Sequence, residues 1–170
     1  GGWLPLGKED AMIQLSRILL PTDLSECSGH ALPYAVELAS AFSAQLHIVH
    51  VIDTHWLGAL AGAEFPGQIE AGLARTREAG EKALATLRAK LCTADVRTCI
   101  LAGAPHLELV EYARRHEIDL IVMATHGRTR LAHALIGSVA EKTVQMAPCP
   151  VLTTKHPEHE FVMPQQRGEE

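Results

Sequence analysis

Residues 123–138 read Met-Ala-Thr-His-Gly-Arg-Thr-Arg-Leu-Ala-His-Ala-Leu-Ile-Gly-Ser and join an apolar, strand-like run to the start of a helix. Glycine lets a backbone approach a bulky anion and adopt positive φ. The first N–H groups of a helix have no partner within the helix, and they point at whatever lies in front of them. A strand, a glycine-containing loop and a helix start in this order therefore predict a phosphate-binding loop.

Outward from this loop, short apolar runs alternate with longer stretches of helical periodicity, a pattern typical of parallel α/β folds. The short runs predict five strands, at residues 18–21, 46–52, 96–102, 120–124 and 151–154. The longer stretches predict four helices, at about residues 28–43, 67–91, 105–116 and 138–147. The continuous apolar content of the first and fourth strands favours burial on both faces.

The second and fourth predicted helices carry patterns that bear on packing and capping. Gly80 lies on the apolar stripe of the second helix, where a glycine allows close packing. That stripe is expected to face the core and consists of Ile69, Leu73, Leu84, Leu87 and Leu91. In the fourth helix, Ser138 and Glu141 have the spacing of a capping box.

Four βα units followed by a fifth strand, with right-handed crossovers, predict a single-domain α/β fold. We expect a doubly wound five-stranded parallel sheet in the order 3-2-1-4-5, with four helices. Ligands of such sheets bind outside the carboxyl ends of the strands where the winding reverses. Pro21-Thr22-Asp23 follows the first strand and Ala124-Thr125-His126-Gly127 follows the fourth, so both motifs should meet at that site.

Composition argues against several classes of partner. Fifteen basic and twenty acidic residues give the 170-residue chain a formal net charge of -5, without a block of like charges. We therefore expect no nucleic-acid partner and no membrane association. No apolar run reaches membrane-spanning length and no signal peptide opens the sequence, so the expected location is the cytoplasm.

The cysteines and histidines predict no metal site. The four cysteines are far apart and form no Cys-x-x-Cys pair, as expected of reduced thiols packed as small apolar groups. His47, His50 and His55, like His156 and His159, suggest a metal site only superficially, because neither group has the spacing of a set of three ligands.

The ends of the chain fall outside the βα pattern. We interpret residues 1–15 as an N-terminal extension, with Gly1 and Gly2 an expression remnant or a trimmed start, and residues 156–170 as a flexible C-terminal tail. Residues 53–66 predict a long loop after the second strand, of the kind that is more often functional than structural. The domain itself is expected over residues 16–155.

Five separated motifs, in order, carry a resemblance to a known family. They are Ile-Leu-Leu-Pro-Thr-Asp-Leu-Ser-Glu from residue 18, His-Val-Ile-Asp from residue 50, Met-Ala-Thr-His-Gly-Arg-Thr from residue 123, Gly-Ser-Val-Ala-Glu-Lys from residue 137 and Ala-Pro-Cys-Pro-Val-Leu from residue 147. Over residues 16–155 the chain resembles a universal stress protein domain of the UspA-like superfamily, in its ATP-binding branch. The resemblance implies a Rossmann-like, adenine nucleotide alpha hydrolase-like fold.

The phosphate-binding motif of that branch reads Gly, two residues, Gly, nine residues, Gly, and then Ser or Thr. The corresponding positions here are Ala124, Gly127, Gly137 and Ser138, so alanine replaces the first glycine and the other three residues match. The Cβ of Ala124 is expected to crowd a close backbone approach or to disfavour positive φ, while the N–H donor is kept.

The resemblance also implies a set of nucleotide-binding residues. Those on the adenosine side are Pro21, Thr22, Asp23 and Val51, and those around the sugar and phosphates are Met123, Ala124, His126, Gly127, Arg128, Gly137, Ser138 and Val139. Most of these residues also have a plainer interpretation. The glycines are compatible with simple turns, Ser138 and Asp23 with helix caps, and His126 and Arg128 with solvated surface positions.

The function implied by the resemblance is that of a cytoplasmic stress-response regulator or sensor. Such a protein would bind ATP or another adenine nucleotide (AMP, ADP or cAMP), with or without Mg²⁺. It would form a homodimer through the last strand, Pro150 to Thr154, and contact an unidentified protein client.

Enzymatic activity beyond slow ATP hydrolysis is not expected. Asp23 lies on the adenosine side and Glu141 is assigned to capping, which leaves no base for a hydrolytic water. Two alternatives stay open. One is a nucleotide-free dimeric interaction module, in which Ala124 marks an altered cradle. The other is an adenylyl-transferring enzyme, although His126-Gly127 lacks the second histidine of the His-x-Gly-His signature.

Overall fold

The computed structural model describes residues 13–55, 66–91, 95–125 and 136–155. The strands are β1 (Arg17–Pro21), β2 (Gln45–Asp53), β3 (Val96–Gly103), β4 (Leu120–Ala124) and β5 (Val151–Thr154). The helices are α1 (Glu26–Gly29), α2 (Leu32–Phe42), α3 (Pro66–Ala89), α4 (Pro105–Arg115) and α5 (Ser138–Met146). All five predicted strands are confirmed, and each predicted end lies within one residue of the observed end.

The strands form one parallel sheet in the order β3-β2-β1-β4-β5, which confirms the predicted topology. β1 lies at the centre, and the winding reverses between it and β4. One face of the sheet, with Leu20 and Ile48, packs against α2 and α3. The opposite face, with Leu19, Val49 and Ile121, packs against α4 and α5. The carboxyl ends of β1, β2 and β4 therefore meet at one edge, between the two layers of helices.

The first predicted helix is divided in two. α1 begins after Ser25, whose hydroxyl accepts a hydrogen bond from the Ser28 amide at 3.2 Å. α2 then starts anew with Pro33 in its first turn. Because proline has no N–H to donate back into a continuous helix, the break falls just before it. Ser25 is the N-cap of α1, so the interpretation of Asp23 as that cap is wrong.

The predicted capping box at α5 is also wrong. Gly137 is the N-cap and Ser138 is the first helical residue, and no side chain of the described residues caps this helix start. Gly137 has φ -70° and ψ 151°, an extended conformation. Gly137 therefore makes no use of positive φ, and the amides that open α5 have no side-chain partner from Ser138 or Glu141.

α3 is the longest helix, and only part of it packs on the core. Gly80 is buried, and an added Cβ would lie 2.8 Å from Cδ1 of Ile100, so the predicted close packing at this glycine is confirmed. Leu84 is buried in the core, whereas Ile69 and Leu73 are only half-buried. None of the helices in the described part of the chain is long and apolar enough to cross a membrane.

Three of the sequence interpretations fall partly or wholly outside the described residues. The tail at 156–170 lies outside them, as do residues 1–12 of the N-terminal extension and residues 56–65 of the long loop. Among the described cysteines, no disulfide joins Cys27, Cys99 or Cys149.

Candidate functional site

A cleft of about 760 Å³ opens at the carboxyl ends of β1, β2 and β4. This is the predicted place, where the winding of the sheet reverses. The volume lies within the range of about 300–1,000 Å³ that is common for small-molecule sites. Residues 22–25, which join β1 to α1 and are called the β1–α1 segment below, contribute to the cleft together with the start of α5. The N-terminal half of α3 forms another wall.

Most of the predicted nucleotide-binding residues meet in this cleft. Nine of them line it: Pro21, Thr22, Asp23, Val51, Met123, Ala124, Gly137, Ser138 and Val139. The other three, His126, Gly127 and Arg128, lie outside the described residues. The structure thus brings together segments that are more than a hundred residues apart in sequence, while their role in nucleotide binding stays a prediction.

Sequence reasoning missed the wall that α3 adds to the cleft. The α3 residues that line it are Gln68, Ile69, Gly72, Leu73 and Thr76. The interpretation of Ile69 and Leu73 as core residues is wrong, because both face the cleft. A signal was present, since Gln68, Gly72 and Thr76 repeat at intervals of four and mark one polar helix face beside the apolar stripe.

The start of α5 presents backbone donors to the cleft. The Gly137 amide donates to the Thr125 carbonyl at 2.6 Å, and the first bond within the helix runs from the Glu141 amide to the Gly137 carbonyl at 2.9 Å. Between them, no residue of the described segments accepts from the amides of Ser138, Val139 or Ala140. These donors lie at the positive end of the helix dipole, which stabilises a nearby negative charge by about 0.3–1 kcal/mol when exposed.

Ala124 is compatible with its position on β4. Its φ is not positive, and its side chain packs against the core cluster on the α2 face of the sheet. The expectation that an alanine here disfavours a required positive φ is therefore wrong. The methyl group lies at the edge of the cleft, and the backbone N–H is retained.

The β1–α1 segment is held by its own side chains. The Asp23 carboxylate accepts from the Ser25 amide at 3.0 Å and from the Ser25 hydroxyl at 2.6 Å. The Thr22 hydroxyl accepts from the Leu24 amide at 3.0 Å and pairs with the Ser28 hydroxyl at 3.0 Å. Leu24 has φ 64°, a left-handed conformation that costs a residue with a Cβ on the order of 1–2 kcal/mol. These bonds oppose that strain and keep the segment in one shape.

The charged side chains among the described lining residues are Asp23 and Asp53. Asp23 lies just after β1, and Asp53 is the last residue of β2. Burial opposes ionisation of Asp53, but hydrogen bonds from the His55 ring and backbone outweigh it and lower the pKa of the Asp53 carboxyl. The cleft thus combines carboxylate acceptors near β1 and β2 with amide donors at α5. Within the described residues, no group of three or more His, Cys, Asp or Glu side chains is arranged to hold a metal ion.

The fold and the cleft define a doubly wound α/β protein of Rossmann-like type. Its cleft suits a ligand that carries an anionic group at the α5 end and hydrogen-bond donors at the end near β1 and β2. The family model described as "Universal stress protein family" matches residues 14–155. The chain therefore belongs to the universal stress protein family, and the predicted family and fold are both confirmed.

Similar proteins extend over nearly the same part of the chain. Universal stress protein MJ0531 of Methanocaldococcus jannaschii is 36% identical over 146 residues, which cover 85% of this chain and 84% of that protein. Universal stress protein A homolog 1 of Coxiella burnetii is 35% identical over 136 residues, which cover 79% of this chain and 92% of that protein.

Solved structures show the same fold. The universal stress protein UspA from Lactobacillus plantarum has a TM-score of 0.71 at 27% identity, over 84% of this chain and 99% of that one. A universal stress protein crystallised in complex with cAMP has a TM-score of 0.56 at 26% identity, over 84% of this chain and 98% of that one.

Proposed function

We propose that this universal stress protein binds ATP or another adenine nucleotide in the cleft and acts as a cytoplasmic stress-response regulator or sensor. The proposal rests on the amides of Ser138, Val139 and Ala140, which lie at one end of a nucleotide-sized cleft and have no partner among the described residues. The cAMP complex of a related protein supports an adenine nucleotide as the ligand.

The two ends of the cleft suit the two ends of a nucleotide. Phosphate oxygens would accept from the amides at the start of α5, with His126, Gly127 and Arg128 as further predicted contacts. The nucleoside would lie toward Asp23 and Val51, where carboxylate and backbone acceptors suit sugar hydroxyls and the base amino group. Several such contacts together with burial of the base are consistent with micromolar affinity, about -8 kcal/mol.

A regulatory role fits this site better than an enzymatic one. Hydrolysis of ATP needs an oriented water and a stabilised γ-phosphate. The Asp23 carboxylate, near β1, is already bonded to Ser25, and Glu141 is an exposed residue of α5 that does not line the cleft. We therefore expect binding with at most slow turnover, and a change in what the protein contacts when the cleft is filled.

Calorimetric titration with ATP, ADP, AMP and cAMP, each with and without Mg²⁺, tests the proposal. We expect a dissociation constant in the micromolar range for at least one of them. No heat of binding at millimolar nucleotide would overturn the proposal.

The Ala124→Gly variant tests the alternative of a nucleotide-free interaction module. Because Ala124 needs no positive φ, we expect its replacement by glycine to change nucleotide affinity by less than about threefold. If the unsubstituted chain does not bind and Ala124→Gly does, the interaction module is the correct function.

We also infer a homodimer through the edge of β5. β5 is an edge strand of the sheet, and the neighbouring α5 exposes Val144 and Met146. The Pro150 carbonyl accepts from the Ile121 amide of β4 at 3.0 Å, and the Thr154 carbonyl accepts from the amide of Thr125, just after β4, at 2.9 Å. Backbone groups alternate along a strand, so the N–H and C=O groups of Val151 and Thr153 point outward. They are available to a second copy of the chain.

The Thr153→Pro variant should weaken this dimer. Proline removes an outward N–H and leaves the bonds to β4 in place, since an edge strand tolerates it there. We expect the dimer dissociation constant to rise at least about tenfold, measured by light scattering over a dilution series. Thr153→Val, which keeps the N–H, is the matched control. A proline variant as dimeric as this control would exclude the β5 edge as the interface.

A further inference from the structure

His50 is a buried histidine beside the cleft, and none of the predicted contacts uses it. It lies on β2, only 6% exposed, and it lines the cleft. Its Nδ1 is 2.8 Å from the Thr22 carbonyl oxygen. Because a carbonyl can only accept, Nδ1 carries the proton and the imidazole donates this bond.

The bond acts where β1 leaves the sheet. Thr22 is the first residue after β1, and its amide donates to the Val49 carbonyl at 2.9 Å. β2 therefore holds Thr22 twice, through the Val49 backbone and through the His50 ring. The Thr22 hydroxyl in turn accepts from the Leu24 amide, and the next residue, Asp23, accepts from Ser25. The position of the Thr22 carbonyl thus sets where the Asp23 carboxylate stands.

The same imidazole lies close to helix α3. A Cβ added to Gly80 of α3 would lie 3.4 Å from Cδ2 of His50 and 2.8 Å from Cδ1 of Ile100. The distance to Ile100 is what requires glycine here, whereas a Cβ 3.4 Å from the His50 ring would make an ordinary van der Waals contact, so α3 passes within packing distance of the ring. One turn earlier, Thr76 already lines the cleft. The His50 ring therefore lies between α3 and the β1–α1 segment, which both border the ligand volume.

We propose that His50 is a positioning residue of the nucleotide site, whose Nδ1–H holds the Thr22 carbonyl and thereby places Asp23 at the adenosine end of the cleft. The effect on affinity rests on the proposed nucleotide-binding function. The effect on the β1–α1 segment rests only on the contacts of His50.

Two variants distinguish the effect of the Nδ1–H donor of His50 from the effect of the volume of its ring. His50→Leu fills space without a donor, whereas the side-chain N–H of His50→Asn stands near the place of Nδ1. We expect the dissociation constant for ATP to rise about tenfold in His50→Leu and to stay within about threefold of the unsubstituted value in His50→Asn. His116→Asn, at a histidine that follows α4 and does not line the cleft, is the matched control and should change little. Equal losses in the leucine and asparagine variants would overturn the positioning role.

Hydrogen exchange without nucleotide provides the second measurement. The amides of Leu24 and Ser25 report on the segment, since they donate to Thr22 and Asp23 side chains. We expect them to exchange at least about tenfold faster in His50→Leu and to stay protected in His50→Asn. Unchanged exchange in His50→Leu overturns the proposal whatever the affinity. The expected exchange pattern in a chain that binds no nucleotide supports the positioning role and overturns only the proposed function.

Discussion

The Ser138→Pro variant should lose about ten- to hundredfold in affinity for ATP, because it lacks one backbone donor to phosphate. Ser138 is the first residue of α5, a position where proline is well tolerated, since the missing N–H has no helical partner there. Gly137 before it has φ -70° and ψ 151°, the extended conformation that a residue preceding proline prefers. The free energy of unfolding should therefore change by less than about 1 kcal/mol.

Ser138→Ala is the matched control for this variant. It removes the hydroxyl and keeps the amide, so we expect its affinity to stay within about threefold of the unsubstituted chain. Calorimetry with ATP measures both affinities, and urea unfolding measures both stabilities. Equal affinities of Ser138→Pro and the unsubstituted chain would show that the α5 amides do not contact phosphate.

The second large effect concerns acid stability and the buried histidine at the other end of the sheet. His47 is 1% exposed, and its two ring nitrogens lie 3.0 Å from the Tyr112 hydroxyl and 2.6 Å from Oε1 of Gln45. The Gln45 amide nitrogen donates to both carboxylate oxygens of Asp95, so its Oε1 faces the imidazole. Nε2 of His47 must then carry the proton, while Nδ1 accepts from Tyr112.

A second proton on His47 is opposed by its surroundings. Burial, followed by the positive charges of His116, Arg97 and Arg17, lowers the pKa of His47 from 6.5 to about 4, with Asp95 acting in the opposite direction. The His116 ring lies 4.1 Å from that of Tyr112 and 5.7 Å from that of His47, between ring centroids. Burial and the neighbouring arginines also lower the pKa of His116. Protonation of His47 would further require the Tyr112 hydroxyl to give up its acceptor.

The direction of the pH effect follows from the two states of His47. Between pH 6.5 and about 4, the unfolded chain binds this proton and the folded chain does not. The free energy of unfolding therefore falls as the pH falls through this range. The contribution of neutral His47 is fully present above pH 6.5, and about 3 kcal/mol of it is lost by pH 4.

The His47→Asn variant isolates the contribution of His47 to the pH dependence of stability. Urea unfolding at pH 7, 5.5 and 4 should give a pH dependence that is smaller in the variant by about 3 kcal/mol in total. Parallel curves for the two chains would contradict the assignment. NMR titration of the unsubstituted chain provides a second check, since the His47 ring resonances should show a midpoint near pH 4.

Strand positions could be predicted well because a central parallel strand must be apolar on both faces. Leu120–Ala124 was predicted with its observed ends for this reason. β2 extends to Asp53, one residue beyond the predicted end, because Asp53 pairs with Gly103 of β3. Such a ladder partner lies fifty residues away, so local hydrophobicity does not reveal it. The helix break before Pro33 could not be located from sequence alone, because a proline is compatible with the first turn of a helix as well as with a kink inside it.

The cleft was predicted from two of its sides and missed on the third. The motifs after β1 and β4 were found because parallel strands bring their carboxyl ends to one edge of the sheet. The α3 wall was missed because one apolar stripe serves two purposes along the same helix. Leu84 lies over the sheet, whereas Ile69 and Leu73 face the cleft. Which part of a stripe covers strands depends on where the sheet ends, and periodicity does not contain that information.

The prediction that Ser138 caps α5 was also wrong, because the neighbouring Gly137 takes that position. The spacing of Ser138 to Glu141 favours a capping box, yet Gly137 takes the cap position, because its amide is bonded to the Thr125 carbonyl and its backbone is extended. The helix start is thus left with backbone donors that no described side chain satisfies. This strengthens the case for a ligand at that position.

A crystal structure of the chain grown with ATP tests the central claim most directly. We expect phosphate oxygens within about 3.2 Å of the amide nitrogens of Ser138 and Val139, and the adenosine toward Asp23 and Val51. Nucleotide bound elsewhere, or a cleft without nucleotide at millimolar concentrations of ATP, would contradict the account.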